Sequence, residues 1–180
     1  MRGTESVASE LKGLYRDVLR DARGGVVRDS GWHPNVIVAD CRRLLAAFLH
    51  GSPATALGIQ GLQVGAGLPA WDLTGTPAPD PSQTVLVDPQ PFTVPLASLK
   101  MDFLQGATVT TTPTNRLQIV ATLGPNMPPW PDATHSSSTL REFGLVGQLN
   151  GQPVLLNCVR HPAITKDPFS SLDRTIWLVF

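Results

Sequence analysis

The sequence predicts a mainly β protein: a two-sheet antiparallel β-sandwich with one or two N-terminal α-helices. Two observations support this prediction. The chain contains 16 Gly and 17 Pro among 180 residues, so turns are frequent. Apolar runs of strand length recur between those turns from residue 56 onward. Because 180 residues can bury one core but hardly two, we expect a single β-sandwich domain.

The first 25 residues are predicted to form an amphipathic α-helix. From residue 4 to residue 22, apolar side chains recur at helical spacing, with charged side chains between them. Gly24 and Gly25 would end the helix. Two placements remain open, since the helix could pack on its own domain or in a groove of a neighbouring subunit.

Residues 26–180 are predicted to form the β-sandwich domain. It would include a second helix near residues 40–50, with Asp40 as the N-cap and Gly51 at the C-terminal end. A Pro-rich loop is predicted at 124–138, because its sequence, GPNMPPWPDATHSSS, suits neither a helix nor a strand.

The C-terminal residues give the strongest local signal. Two apolar runs, Leu140–Val146 and Val154–Val159, flank Asn150-Gly151. Both turn residues tolerate the positive φ of a type I′ turn, so an antiparallel hairpin is predicted. The last run alternates, which predicts a final strand. One face carries Leu172, Ile176, Leu178 and Phe180, and the other carries Asp173, Thr175 and Trp177.

These C-terminal segments also carry a resemblance to known proteins. The pattern consists of Leu140-Arg-Glu-Phe-Gly-Leu-Val, Val159-Arg-His-Pro-Ala-Ile and Leu172-Asp-Arg-Thr-Ile-Trp-Leu-Val-Phe. It resembles the C-terminal end of small tail-associated proteins of bacteriophages and related contractile injection particles. In those proteins such strands close a β-sandwich that assembles into rings or trimers. Asn35-Val-Ile-Val and Ile59-Gln-Gly-Leu-Gln-Val-Gly-Ala-Gly are more loosely similar.

The resemblance implies a non-enzymatic structural subunit that acts by homo-oligomeric assembly at a baseplate, collar, cap or fibre-attachment position. Its partners would be copies of itself and other particle proteins. The sequence lacks a signal-peptide pattern, so we expect synthesis in a bacterial cytoplasm and a mature form in a virion or tail-like particle.

Composition agrees with these expectations. Lys and Arg number 14 and Asp and Glu also number 14, so no net charge draws the chain to nucleic acid. The apolar runs are too short to span a membrane, so no membrane insertion is predicted. Only 16% of residues are charged, against roughly 25% in typical soluble domains. This low charge suits a surface that copies of the chain cover.

No cofactor, metal site or catalytic residue is predicted. The four His residues show no metal-binding spacing, and no nucleophile motif is present. The segment from Gly65 to Ala70 matches G-x-G-x-x-A, but Pro69 opposes the helix that a nucleotide site needs. A glycine turn with Trp71 packed over it is the better interpretation. Cys41 and Cys158 are expected to be buried free thiols.

Seven residues are candidates for an interface: Trp71, Met127, Trp130, Glu142, Arg174, Trp177 and Phe180. Met127 and Trp130 could fill a partner's pocket, or Trp130 could fold back on its own sheet. Glu142 and Arg174 lie in apolar runs, where a charge is costly unless it is paired. They could pair with each other, with Arg141 or Asp173, or with a neighbouring subunit.

A second hypothesis is a carbohydrate- or receptor-binding β-sandwich. Trp32, Trp71 or Trp130 would then stack on sugar rings, and a surface glycan would be a partner. A hydrolase whose site is built from separated residues is a third, weaker hypothesis.

Overall fold

Backbone hydrogen bonding organises most of this chain into β-strands. The computed structural model describes residues 11–51 and 55–180. Its strands are β1 (Lys12–Arg20), β2 (Val26–Asp29), β3 (His33–Ile37), β4 (Ala56–Gly65), β5 (Phe92–Pro95), β6 (Leu99–Gln105), β7 (Thr108–Thr110), β8 (Arg116–Leu123), β9 (Thr139–Leu149), β10 (Gln152–Leu155), β11 (Asn157–Thr165) and β12 (Ser171–Val179). Its helices are α1 (Ala39–Leu49) and α2 (Trp71–Thr74), and Leu96–Ser98 forms a 3-10 turn.

The strands join in one 12-stranded sheet with the order β5-β4-β9-β11-β3-β1-β12-β8-β6-β7, while β10 pairs with β9 and β2 with β1. All pairs are antiparallel. The mainly β prediction is therefore confirmed, whereas two separate sheets are not observed. β3 joins the two halves, pairing at two positions with β11 and at three with β1.

The two halves of the sheet share one hydrophobic core. Leu62 of β4 and Phe143 of β9 belong to the same buried cluster as Ile119 of β8 and Ile176 of β12. These strands lie on opposite sides of β3 in the strand order. The sheet must therefore bend to bring side chains of both halves into this core.

β9 is the most buried strand, and it contains the first part of the C-terminal motif. Its first nine residues are buried between β4 on one side and β11 on the other. The predicted hairpin is confirmed, because Leu149 pairs with Gln152 across Asn150 and Gly151. Both turn residues have positive φ, 52° and 77°.

A side chain completes the backbone pairing where β10 passes into β11. The Leu145 N–H donates to Asn157 Oδ1 at 2.7 Å, and the Leu156 N–H donates to the Leu145 carbonyl at 2.8 Å. The Asn157 amide thus replaces a backbone acceptor. The backbone of Asn157 pairs with Ile37 of β3 instead.

The predicted N-terminal helix is wrong over the residues that the structure describes. Residues 12–20 form β1, which lies between β3 and β12. Leu11, Tyr15 and Leu19 contact the core. Their spacing of four residues places them on one face of a helix and equally on one face of a strand. Pairing with the two neighbouring strands selects the strand over the helix. Residues 1–10 of the predicted helix lie outside the described residues.

The second predicted helix is confirmed as α1, although its start differs from the prediction. Val38 occupies the N-cap position, and Asp40 lies in the first turn, where it pairs with Arg43 at 2.7 Å. Cys41 and Leu44 face the core. Cys41 and Cys158 are buried free thiols, as expected. Within residues 11–51 and 55–180, no helix is long and apolar enough to cross a membrane.

Gly144 of β9 is a position where only glycine fits. A Cβ atom there would lie 2.4 Å from the Asn157 carbonyl oxygen and 2.5 Å from Leu155 Cδ1. We expect Gly144→Ala to lower the free energy of unfolding by about 1–3 kcal/mol, because a backbone carbonyl cannot yield easily. Urea unfolding measures this change.

Gly58 of β4 is the matched control for this substitution. A Cβ atom at Gly58 meets nothing within 4 Å, so Gly58→Ala should change stability by less than about 0.5 kcal/mol. Equal effects of the two substitutions would contradict the steric explanation.

Candidate functional site

The strands give the subunit two ends with different surfaces. At one end, Val179 of β12 lies opposite Lys12 and Arg116. At the other, the loops that follow β8 and β11 meet, since Lys166 Nζ donates to the Gly124 carbonyl at 2.7 Å and the Asn126 N–H donates to Pro168 at 2.9 Å. We call the first the cavity end and the second the loop end.

An apolar cavity of about 610 Å³ gives the cavity end its name. It lies between α1 and strands from both halves of the sheet. Its apolar lining residues include Leu44, Leu45, Phe48, Ile59, Met101, Phe103, Leu117, Leu156, Leu178 and Phe180. Phe48, Met101 and Phe180 are exposed by 42%, 41% and 39%, so the rim is open to solvent. An exposed apolar concavity of this kind is typical of an interaction surface.

Within residues 11–51 and 55–180, the cavity end carries more positive than negative side chains. Its cationic side chains are Lys12, Arg42, Arg43, Lys100 and Arg116. Two carboxylates, Asp40 and Asp102, lie at this end, and each has a cation from the same group within 4 Å. Of the remaining cations, Lys12 and Arg42 are exposed, whereas Arg116 is half-buried and donates to the Gly106 carbonyl.

The loop end presents an exposed Phe169 on an ordered turn. The side chain is 71% exposed. The N–H groups of Phe169 and Ser170 donate to Asp167 Oδ1 at 2.8 and 2.9 Å, which fixes the turn. The Phe169 N–H and the other donors to this carboxylate lower the pKa of Asp167, so it stays ionised at neutral pH.

Exposed charges at the loop end are mainly negative. Asp21, Asp132 and Asp167 are exposed, whereas Lys166 is buried. Of the arginines, Arg23 is exposed and Arg141 is held by Asp72 at 2.9 and 2.6 Å. The two ends of the subunit are therefore complementary in charge.

The structure places two of the predicted interface tryptophans inside the subunit. Trp130 stacks on His135 with ring centroids 3.8 Å apart, which is the alternative in which it folds back. Trp71 packs over Gly67, as expected, because a Cβ there would lie 2.5 Å from the ring. Both side chains are 7% exposed, so neither is free to stack on a sugar.

The remaining apolar candidates lie nearer the surface. Met127 is partly buried against the core. Trp177 is partly covered by Trp32, with ring centroids 4.3 Å apart. Phe180 lies at the rim of the apolar cavity, so it is the candidate that the structure places at an open surface.

Glu142 is fully buried, and neither expected arginine pairs with it, because Arg141 is held by Asp72 and Arg174 by Asp17. Its carboxylate accepts the N–H groups of Val87 at 3.1 Å and Asp88 at 2.6 Å. Burial raises the pKa of Glu142, although these two donors oppose the rise. Glu142 therefore attaches the segment before β5 to the central strand β9.

A chain of polar contacts continues from Asp88. Its carboxylate accepts the Ala66 N–H at 2.7 Å and lies 3.0 Å from His135 Nε2. His135 Nδ1 lies 2.9 Å from Asp132 Oδ1. The chain joins three loops. No sequence motif indicates it, because its contacts span 22 residues from Ala66 to Asp88 and 47 residues from Asp88 to His135.

Arg174 pairs with Asp17, a partner that was not predicted for it. Two contacts of 2.7 Å join the guanidinium to the carboxylate, and both side chains are buried. The guanidinium carbon lies 3.7 Å from the Phe143 ring centroid. Burial alone would raise the pKa of Asp17, but the charge and hydrogen bonds of Arg174 lower it. The helix prediction gave no indication of this pairing, since it placed Asp17 off the apolar face of the helix.

His161 completes this buried cluster in its neutral form. Burial and the Arg174 charge lower the pKa of His161 to about 4. Nδ1 then donates to the Pro162 carbonyl at 2.9 Å, and Nε2 accepts from Arg174 at 3.1 Å.

The described residues contain no cluster of three or more His, Cys, Asp or Glu side chains that could hold a metal ion. Burial raises the pKa of Cys41 to about 11 and that of Cys158 to about 12. Both thiols are therefore protonated and unreactive at neutral pH.

A comparison of the chain with protein-family models, curated proteins and solved structures gave no match.

We expect His161 to make the protein sensitive to acid. The unfolded imidazole binds a proton near pH 6.5, whereas the folded one does so only near pH 4. Between these values the unfolded state binds more protons, so stability falls as the pH falls, by up to about 3 kcal/mol. Urea unfolding across this pH range measures the loss.

His161→Gln should flatten that pH dependence. Gln keeps an acceptor for Arg174 but cannot take up a proton. The variant should be less stable at neutral pH, and its stability should change less between pH 6.5 and 4. A slope equal to that of the wild type would contradict the role of His161.

Proposed function

We propose that this chain is a non-enzymatic structural subunit of a bacteriophage tail or tail-like contractile injection particle. It acts by homo-oligomeric assembly, at a baseplate, collar, cap or fibre-attachment position. The C-terminal resemblance supports the kind of particle. The open apolar cavity at one end of the subunit, opposite an exposed Phe169 at the other, is the observation that supports assembly.

The proposed contact is head to tail, with Phe169 of one copy in the apolar cavity of the next. A volume of about 610 Å³ accommodates this side chain together with part of its turn. Full burial of a Phe side chain contributes about 1.5–3 kcal/mol. Because Asp167 already fixes the turn, little conformational entropy is lost when it docks.

Charge complementarity supports the same orientation. The acidic loop end would meet the basic cavity end, with Asp167 beside Phe169 and Arg42 beside the cavity. Such complementarity orients an encounter and disfavours contacts between like ends. It also makes assembly weaker at high salt.

A head-to-tail contact uses two different surfaces, so every added copy presents a free surface of each kind. Such contacts either close into a ring or continue as a stack. Both arrangements suit a particle built of repeated layers, in which many copies add modest interfaces.

Phe169→Asp and Met101→Glu should each abolish self-association, because each places a charge in the proposed contact. The wild type should form closed or extended oligomers in sedimentation velocity and light scattering, and each variant should be a monomer. Val85→Asp is the control, since Val85 is 69% exposed but lies outside both the turn and the cavity rim.

Mixing the two variants tests the head-to-tail arrangement itself. Phe169→Asp retains a working cavity and Met101→Glu retains a working Phe169, so an equimolar mixture should form a dimer and nothing larger. A wild type that stays monomeric at every concentration would contradict the proposal. So would a mixture that forms no dimer.

A further inference from the structure

A second cavity, of about 700 Å³, opens on the side of the subunit between the β2–β3 segment and the middle of β11. Tyr15, Asp17 and His161 lie on its inner side, on strands of the sheet. Arg28, His33 and Arg160 also line it. The volume is within the range of about 300–1,000 Å³ typical of small-molecule sites.

The inner side of this cavity is fixed by the buried cluster around Arg174. The carboxylate of Asp17 is held by two hydrogen bonds from Arg174. The Tyr15 ring packs edge-on against Phe143, with centroids 5.3 Å apart, and lies 5.5 Å from the His33 ring. These contacts hold the side chains in place before any ligand binds.

The arginines give the cavity an excess of positive charge. Both of its carboxylates are already paired, Asp17 with Arg174 and Asp29 with Arg16. Arg28 makes one hydrogen bond, from Nη1 to the Ala163 carbonyl at 2.9 Å, which leaves its other N–H groups available. The cavity therefore favours an anion.

Arg160 adds a second guanidinium group to the same wall. Its Nη1 donates to the Ala78 carbonyl at 3.3 Å and its Nη2 to Gln83 Oε1 at 2.9 Å, and the group lies 5.2 Å from the Trp71 ring centroid. Its Nε is buried and has no hydrogen-bond partner among the described residues.

Uncharged hydrogen-bonding groups accompany these cations. His33 Nε2 lies 2.7 Å from the Ser30 carbonyl, so Nε2 carries the proton and Nδ1 is an acceptor. The Tyr15 hydroxyl makes no hydrogen bond within residues 11–51 and 55–180 and can both donate and accept. Pro34 and Pro162 add apolar surface. An inorganic anion would leave these groups unused, whereas a sugar ring would engage them.

We infer that this cavity binds an acidic sugar, with the carboxylate at Arg28 and Arg160 and the ring hydroxyls at Tyr15 and His33. A neighbouring depression of about 330 Å³ shares Thr76 and Pro162 with the cavity. It provides room for a second residue of an acidic oligosaccharide. The cavity shares no lining residue with the apolar cavity and does not include Phe169, so ligand binding can be tested separately from assembly.

Isothermal titration calorimetry with glucuronic acid and N-acetylneuraminic acid tests this inference, with glucose and inorganic phosphate as comparisons. At least one acidic sugar should bind saturably. Glucose and phosphate should bind at least about tenfold more weakly, because glucose lacks the carboxylate and phosphate lacks the sugar ring and its hydroxyls.

Two variants separate the contributions. Arg28→Gln should weaken binding of the acidic sugar about tenfold, and Tyr15→Phe should weaken it several-fold while keeping the ring packed on Phe143. Arg23→Gln, in the turn before β2, is the matched control and should bind like the wild type. Phe169→Asp should also bind normally, which separates this site from assembly.

Three results would overturn the inference: no saturable binding of either acidic sugar, binding that is unchanged in Arg28→Gln, or phosphate binding as tight as that of the sugars. Urea unfolding of each variant shows whether a loss of binding reflects a loss of the fold.

Discussion

The rest of the structure depends on the buried pair between Arg174 and Asp17. The two halves of the sheet are joined through β3, which makes only five backbone pairs with its two neighbours. The pair crosses from β12 to β1 on one side of that junction. Through Phe143 and His161 the same guanidinium contacts β9 and β11 on the other side. Separating the halves would remove the Phe143 ring and the His161 acceptor from the buried guanidinium, so the cluster opposes separation.

This constraint also organises the surfaces of the subunit. Because the halves are held together, α1 and strands from both halves enclose the apolar cavity at one end. The loops that Glu142, Asp88 and His135 tie together lie toward the other end. The subunit thus has a basic, concave end and an acidic end with a protruding Phe169. A chain that is neutral overall thus has two ends of different charge.

Sequence-based predictions were correct for elements whose conformation depends mainly on nearby residues. The Asn150-Gly151 hairpin follows from backbone preferences that no distant residue changes. α1 follows from one uninterrupted apolar stripe. β1 was mispredicted because residues spaced by four fit both a helix and a strand, and only its neighbours β3 and β12 distinguish the two. The sequence left open whether Trp130 is buried or exposed, because its burial depends on stacking with His135 in the same loop.

The sequence alone determined the β-rich class, the final hairpin, the alternation of β12 and the presence of charges inside apolar strands. These properties depend on residue type and on spacings of a few residues. The tertiary structure alone decided which partners those charges have, how twelve strands join into one bent sheet, and which residues line each cavity. Asp17 and Arg174 are 157 residues apart, and no local conformational preference predicts their contact. Long-range pairing is chosen by the fit of the whole core, so it appears only when the chain is folded.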